Sequence, residues 1–260
     1  MTSKHSSYKE PLIQYLVFLA DTNLILSQRN SEWCGHGPVL EQDIAITNIT
    51  LDLLGQARLL YQYAAELINK ENPSANETED TLAYHRLERE YKNLLLTELP
   101  KGDWAVTILR QFLYSVYQQL LYTELLNGKD KHLAAIAEKS LKETHYHVKW
   151  SSEWVLRLGD GTPESHARME NALLSLWMYT DEMFIAAAYE DKSITGIAVT
   201  ELKKEWLTRV SAILQEATLA VPSDDLFMQT GGKTGVHTEH MGYILADLQY
   251  LQRTYPGANW

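Results

Sequence analysis

Residues 12–20 read Leu-Ile-Gln-Tyr-Leu-Val-Phe-Leu-Ala, and the apolar pattern runs on to Leu26. Leu12, Leu16, Leu19 and Leu26 fall close to one face of a helix over about 11–31. Ile13, Tyr15, Val17 and Phe18 make this segment apolar nearly all round, which predicts a helix central in a bundle. Gln14 interrupts the run, and no window holds about 18 unbroken apolar residues, so no membrane span is expected.

Outward from there the pattern stays helical. Cys34-Gly35-His36-Gly37-Pro38 breaks the first helix. A second helix, about 39–70, carries Ile44, Ile46, Ile49, Leu53, Leu54, Ala57, Leu60, Ala64 and Leu67, and ends before the polar loop Asn72–Asn76. A third, about 79–99, stops at Pro100-Lys101-Gly102. Asp103 caps a fourth, about 104–127, and a fifth covers about 130–158 with Gly159 as its C′ residue. Thr162-Pro163-Glu164 supplies a cap, a first-turn proline and a first-turn acid for a sixth helix reaching about Glu190. Thr200 caps a seventh, about 201–218. A glycine-rich stretch, Gly231–Gly235, reads as a flexible connector before a last helix over about 238–253. Only Ser193–Thr200 has any strand character, and it is short. The expected fold class is therefore all-α: two long helical hairpins, about 11–70 and 104–158, with extra C-terminal helices. No composition shift divides residues 11–260, so they read as a single domain behind a polar tail, 1–10.

Composition narrows the function classes. The 260 residues are 45% hydrophobic and 22% charged, which suits a globular protein. Lys and Arg total 23 against 34 Asp and Glu, a net charge of −11, which argues against nucleic-acid binding. One cysteine, Cys34, excludes an intrachain disulfide and a cysteine-cluster zinc site, and a cytoplasmic location is expected. Met1–Glu10 shows no apolar core of a signal peptide.

Long hairpins raise the question of a ferritin-like carboxylate bundle. Such a di-metal site needs a Glu on each of two helices and Glu-x-x-His on each of the other two, because three-residue spacing puts both ligands on one face. Measured from the first break, Asp21 and Asp52 are expected level with each other, but three residues beyond Asp52 stands Gly55. Glu143 is expected level with Tyr114–Gln118, where no acid occurs, and three residues beyond it stands Tyr146; His145 and His147 sit at offsets of two and four. Asp21, Asp52, Glu143 and His147 are thus the fallback ligands for a metal, with His237 and His240 as additions. Arg58 or Lys142 are the expected neutralising partners if these acids are buried. His237-Thr238-Glu239-His240 falls short of His-x-x-Glu-His and suits a helix start, while Lys233 among glycines lacks phosphate-loop spacing. His85 and Glu88 read as a solvated face, Trp150 and Trp154 as core or interface anchors, and Cys34 beside His36 as a thiol without a catalytic third group.

Five strings then stand out in order: Glu41-Gln-Asp-Ile-Ala-Ile-Thr-Asn48, Leu51-Asp-Leu-Leu-Gly-Gln-Ala-Arg58, Arg157-Leu-Gly-Asp-Gly-Thr162, Thr230-Gly-Gly-Lys-Thr-Gly-Val-His-Thr-Glu-His240 and Tyr250-Leu-Gln-Arg-Thr-Tyr-Pro-Gly257. Together they resemble the PaaC-type structural subunits of bacterial phenylacetyl-CoA epoxidases, over nearly the whole chain. The resemblance implies a ferritin-like, non-catalytic subunit in phenylacetate degradation. It implies a sister subunit of the same fold that holds the di-iron centre and binds the CoA thioester, and an NADPH-dependent reductase subunit. The complex would epoxidise the aromatic ring of phenylacetyl-CoA with O₂. The implied partners are that catalytic subunit and the other epoxidase subunits, with a homodimer when the chain is isolated. No catalytic, cofactor or metal residue is carried over. Two other readings stand beside it: a self-sufficient di-iron or mono-metal oxidase, and a helical binding protein using the 231–240 loop.

Overall fold

The computed structural model describes residues 11–190, 192–223 and 226–258; the expected polar tail 1–10 lies outside them. Among the described residues every regular element is helical, and no helix is long and apolar enough to cross a membrane. The chain divides into two compact units. One holds residues up to Pro100 with Ala187–Tyr189 and Gly231 onward; the other holds Lys101–Ala186 and Glu190–Thr230.

The first unit is built on the hairpin of α1 (Pro11–Ser31) and α2 (Leu40–Glu71). Ile13, Leu16, Phe18, Leu19, Ile25 and Leu26 of α1 are all buried. Each such side chain contributes roughly 1.5–3 kcal/mol on leaving water. The break is a run of turns in which Trp33, Cys34 and His36 donate backbone N–H to Asn30, Ser31 and Trp33 carbonyls. Gly35 takes the left-handed conformation there (φ +79°). Asp43, in the first turn of α2, accepts from the Gly37 N–H at 3.0 Å, and this bond holds its carboxyl below the usual range. At the far end Asn69 clamps Glu77 by two 2.8 Å backbone bonds, and a Thr78–Thr81 capping box starts α3 (Glu79–Tyr84).

The single helix expected over 79–99 is broken. After α3 come a 3₁₀ turn, Glu88–Glu90, and one helical turn, α4 (Leu95–Glu98). The reason is tertiary: Arg86 and the Lys92 N–H both turn inward to a carboxylate on α1, so residues 85–94 cannot stay on a helical path.

The second unit holds α5 (Trp104–Leu125) and α6 (Lys131–Gly159). Asp103 caps α5 as expected, accepting from Val106 N–H at 3.1 Å, and Asp130 caps α6, accepting from Leu133 N–H at 2.8 Å. α7 (Pro163–Trp177) opens on a Thr162–Ser165 capping box but ends at Trp177 rather than near Glu190. A 3₁₀ turn, Asp181–Phe184, replaces the expected continuation. It brings Phe184 edge-on to Tyr117 and against Trp206, which also packs on Trp177. The 193–200 stretch is not a strand: α8 (Lys192–Thr195) and the 3₁₀ turn Val199–Glu201 occupy it, before α9 (Leu202–Glu216). Trp206 of α9 donates its indole N–H to the Leu113 carbonyl at 2.9 Å. Gly159 ends α6 against α9, where a Cβ would lie 2.5 Å from the Ala217 carbonyl oxygen. The last helix, α10 (His240–Thr254), returns to the first unit. There Met241, Ile244 and Leu245 cluster with Ile25 and Tyr91.

Candidate functional site

Asp21 is fully buried in α1, and its carboxylate is saturated by three groups. Arg86 reaches both oxygens: one terminal nitrogen lies 3.0 Å from Oδ2 and the other binds Oδ1. The Tyr61 hydroxyl donates to Oδ1, and the Lys92 backbone N–H donates to Oδ2 at 2.7 Å. Arg86 also donates to the Leu82 and Glu90 carbonyls, and its guanidinium lies 4.1 Å from the Tyr91 ring centroid. Burial works against the guanidinium charge, but the Asp21 carboxylate overrides it and raises the pKa above the ordinary value. Burial, reinforced by the negative charge of Asp21, pushes the Tyr61 phenol well up; burial also pushes Tyr91 up to about 12. Arg86 and both tyrosines therefore keep fixed protonation states near neutrality. The expected neutralisers were Arg58 and Lys142. Arg58 instead sits exposed beside Glu79 at 3.3 Å, and the cation that compensates Asp21 is Arg86.

A second buried pair lies nearby. Glu98 is fully buried and accepts from His237 Nδ1 at 2.6 Å, Asn93 Nδ2 at 2.9 Å, and the Thr238 N–H and hydroxyl at 2.8 and 2.7 Å. His237 Nε2 faces the Tyr91 carbonyl oxygen at 3.1 Å. Both ring nitrogens thus meet acceptors, the arrangement of an imidazolium. Burial lowers the His237 pKa, but the Glu98 hydrogen bond and charge more than reverse this, and the net shift is upward.

The expected level of Asp21 with Asp52 is not found. Asp21 meets Tyr61, and Asn23 Nδ2 meets Gln56 Oε1 at 3.5 Å, so α2 is displaced by about two turns from the assumed register. Three turn bonds over residues 30–36 fill the break between the two helices. Asp52 is half-buried on α2. In the second unit, the buried face of α6 carries Ser140, Thr144, His147 and Ser151, while Glu143 is half-buried beside it. Thr144 and His147 thus have the three-residue spacing of Glu-x-x-His, with a hydroxyl in the carboxylate position. Across from them α5 supplies Gln118, which accepts from Thr144 Oγ1 at 3.4 Å and donates to the Tyr114 and Tyr122 hydroxyls at 3.3 Å each. Among the described residues no three His, Cys, Asp or Glu side chains come together to hold a metal ion. Amides and hydroxyls of this kind do not fit a carboxylate-bridged di-iron centre, which needs anionic bridging oxygens.

The remaining candidates have structural positions. Gly231–Gly235 is not a loose connector: Gly232–Thr234 form a 3₁₀ turn, a Cβ at Gly232 would lie 2.0 Å from the Asn93 carbonyl oxygen, and Lys233 is buried with its ammonium 5.1 Å from the Phe18 ring centroid. His240 is half-buried and its N–H reaches the Thr238 hydroxyl at 3.3 Å. His85 and Glu88 are exposed. Trp150 and Trp154 both pack edge-on to Trp104 at 6.0 Å. Cys34 is exposed, with Sγ 3.3 Å from Thr47 Oγ1. Arg86, Tyr61 and Glu98 are the key residues that the pattern of the chain did not single out. Arg86 stands in a charged stretch and Tyr61 on the apolar face of α2, and neither position carries a local signal; the inward turn of residues 85–94 brings Arg86 to Tyr61.

Two comparisons with known proteins place the chain in a family. The family model PaaA_PaaC, described as phenylacetic acid catabolic protein, matches residues 1–260. The C-type subunit of 1,2-phenylacetyl-CoA epoxidase from Escherichia coli (strain K12) is 47% identical over 252 residues, covering 96% of this chain and 99% of its own length.

Proposed function

The chain belongs to the phenylacetic acid catabolic protein family, with its ferritin-like all-α fold, and on that premise we propose that it is the structural, non-catalytic subunit of a phenylacetyl-CoA epoxidase. In this reading it acts in the cytoplasm in aerobic phenylacetate catabolism. It pairs with the di-iron catalytic subunit of the same fold and holds that subunit's helices in place, while a reductase subunit draws electrons from NADPH. Two copies pair when the sister is missing.

The observation that carries the reading is the donor chemistry of the two hairpins. The inward positions hold Asn23 and Gln56 in one unit and Gln118, Thr144 and His147 in the other. The one fully buried acid among the fallback ligands, Asp21, spends both oxygens on Arg86, Tyr61 and a backbone N–H. A chain so built keeps its helical frame by hydrogen bonds that an iron protein would give to metal.

The test is to produce the catalytic subunit with and without this chain. The expected result is that the catalytic subunit alone is poorly soluble or poorly active, that both defects disappear on co-expression, and that this chain purified alone contains less than about 0.1 iron per molecule. A catalytic subunit that is soluble, iron-loaded and fully active by itself defeats the scaffold reading. Stoichiometric iron in this chain, with turnover unaided, favours the self-sufficient oxidase instead.

A further inference from the structure

α6 reverses the charge balance of the chain. It carries five Lys and Arg against three Glu, whereas the whole chain carries 23 Lys and Arg against 34 Asp and Glu. Its buried face holds Ala137, Ser140, Thr144 and Ser151. On the opposite side stand Lys131, Lys142 and Lys149, eleven and then seven residues apart. These intervals are close to three and two whole turns, so on an ideal helix the three fall within about 20° of one line, along about 27 Å. Lys139 and Tyr146 lie beside that line, and all five residues are exposed.

What marks the ridge is its lack of internal pairing. Exposed cations on other helices have a carboxylate at hand: Arg168 lies 2.7 Å from Glu164, Lys203 2.8 Å from Asp181 and Arg209 2.8 Å from Glu205. Glu138 stands four residues before Lys142, and Glu153 four after Lys149, the spacing at which helix ion pairs form. Yet among the described residues Lys139, Lys142 and Lys149 have no carboxylate within 4.0 Å. Lys139 and Lys142, three apart on the helix, repel each other. At the far end Arg157 lies over the Trp154 ring, 5.5 Å from its centroid.

We infer that this outer face of α6 is a docking surface for a protein that presents a cluster of carboxylates. Three features choose the occupant. Lysines spread over several turns offer point charges to a broad opposing surface, whereas phosphate recognition favours the fixed fork of arginine, and the arginine here is engaged by Trp154. A nucleic acid or an anionic bilayer would extend past the ridge onto a chain of net charge −11 and be repelled there, while a folded partner with a local acidic patch meets the ridge alone. Tyr146, 45% exposed among the lysines, supplies the amphipathic ring that protein interfaces favour. Charge contrast of this kind guides encounter and orientation.

The experiment titrates the full-length chain with a labelled helical peptide of Glu, Ala and Leu, about 18 residues long to match the ridge. Anisotropy is read at about 0.1 M salt, where a Debye length of about 10 Å screens the distant acids but not direct contacts. The parent chain is expected to bind. Lys139→Glu/Lys142→Glu/Lys149→Glu should weaken binding at least about tenfold, with circular dichroism and melting temperature unchanged, and should now bind the same peptide with Lys in place of Glu. Lys203→Glu/Arg209→Glu, which reverses two cations of α9 that already have partners, should stay within about twofold. Three results overturn the assignment: no binding by the parent, an equal loss in the α9 variant, or tighter binding to a single-stranded RNA or to phosphatidylglycerol vesicles than to the acidic peptide.

Discussion

Arg86 grips both oxygens of Asp21 from 65 positions further along the chain, with neither side chain exposed by more than 2%. A buried pair of this kind stabilises little relative to apolar residues of the same shape, yet losing one partner strands a charge. Asp21→Asn and Arg86→Met are each expected to lower the unfolding free energy by about 3–5 kcal/mol. The double variant should cost at least about 1 kcal/mol less than the sum of the two. Urea denaturation measures all three; single losses below about 1 kcal/mol would show that the pair holds nothing together.

His237 supplies a pH dependence with a defined sign. Its pKa in the folded chain lies above the ordinary 6.5 because Glu98 binds the charged ring. The folded state then holds a proton that the unfolded state releases. The stabilisation is complete below about pH 6.5 and is lost as pH rises through the folded value. The melting temperature should therefore fall from about pH 6.5 upward, and His237→Gln should be less stable at pH 6 and lack that slope. An identical slope in the variant would assign the dependence elsewhere.

Two glycines should respond in opposite directions. Gly235 has φ +81°, and a Cβ there would lie 2.4 Å from the Arg89 carbonyl oxygen. Gly235→Ala is expected to cost about 1–3 kcal/mol in thermal unfolding. Gly55, in the middle of α2, has open space at its Cβ position, and Gly55→Ala should stabilise the isolated chain by about 0.5–1 kcal/mol.

Restoring one acid should not restore a metal centre. Thr144→Glu would place a carboxylate in a fully buried position among Gln118, His147 and two tyrosines. Its cost should be larger at pH 8 than at pH 5, because the charged form is the one that burial penalises. Adding ferrous iron and air should leave both its melting temperature and its near-ultraviolet spectrum unchanged. A stoichiometric iron spectrum in this variant would show that the frame still suits metal.

The helices that the sequence announces are those with local punctuation. Asp103 and the Thr162-Pro163 start cap as their side chains allow, and the first hairpin begins and turns where the apolar pattern stops. The errors lie where distant residues decide. Residues 85–94 contain neither glycine nor proline, yet they leave the helical path because Asp21 needs Arg86 and the Lys92 N–H. Trp177–Phe184 looks helical, and it bends because Phe184 has a place against Tyr117 and Trp206. Of the site, Asp21, His147 and His237 were legible as candidates. Its register was not, because assuming a symmetric turn set Asp21 opposite Asp52, while in the folded chain Asp21 meets Tyr61, about two turns further along α2.

The cluster of Ile25 and Tyr91 with Met241, Ile244 and Leu245 joins stretches synthesised far apart in time. On the ribosome every residue of the second unit emerges before α10 does. The nascent first unit must wait, its apolar flank uncovered, until the last helix arrives to seal it. A stalled or clipped message ending near Thr230 would therefore release a chain whose later-made unit can close while its earlier-made one stays open to chaperones and proteases.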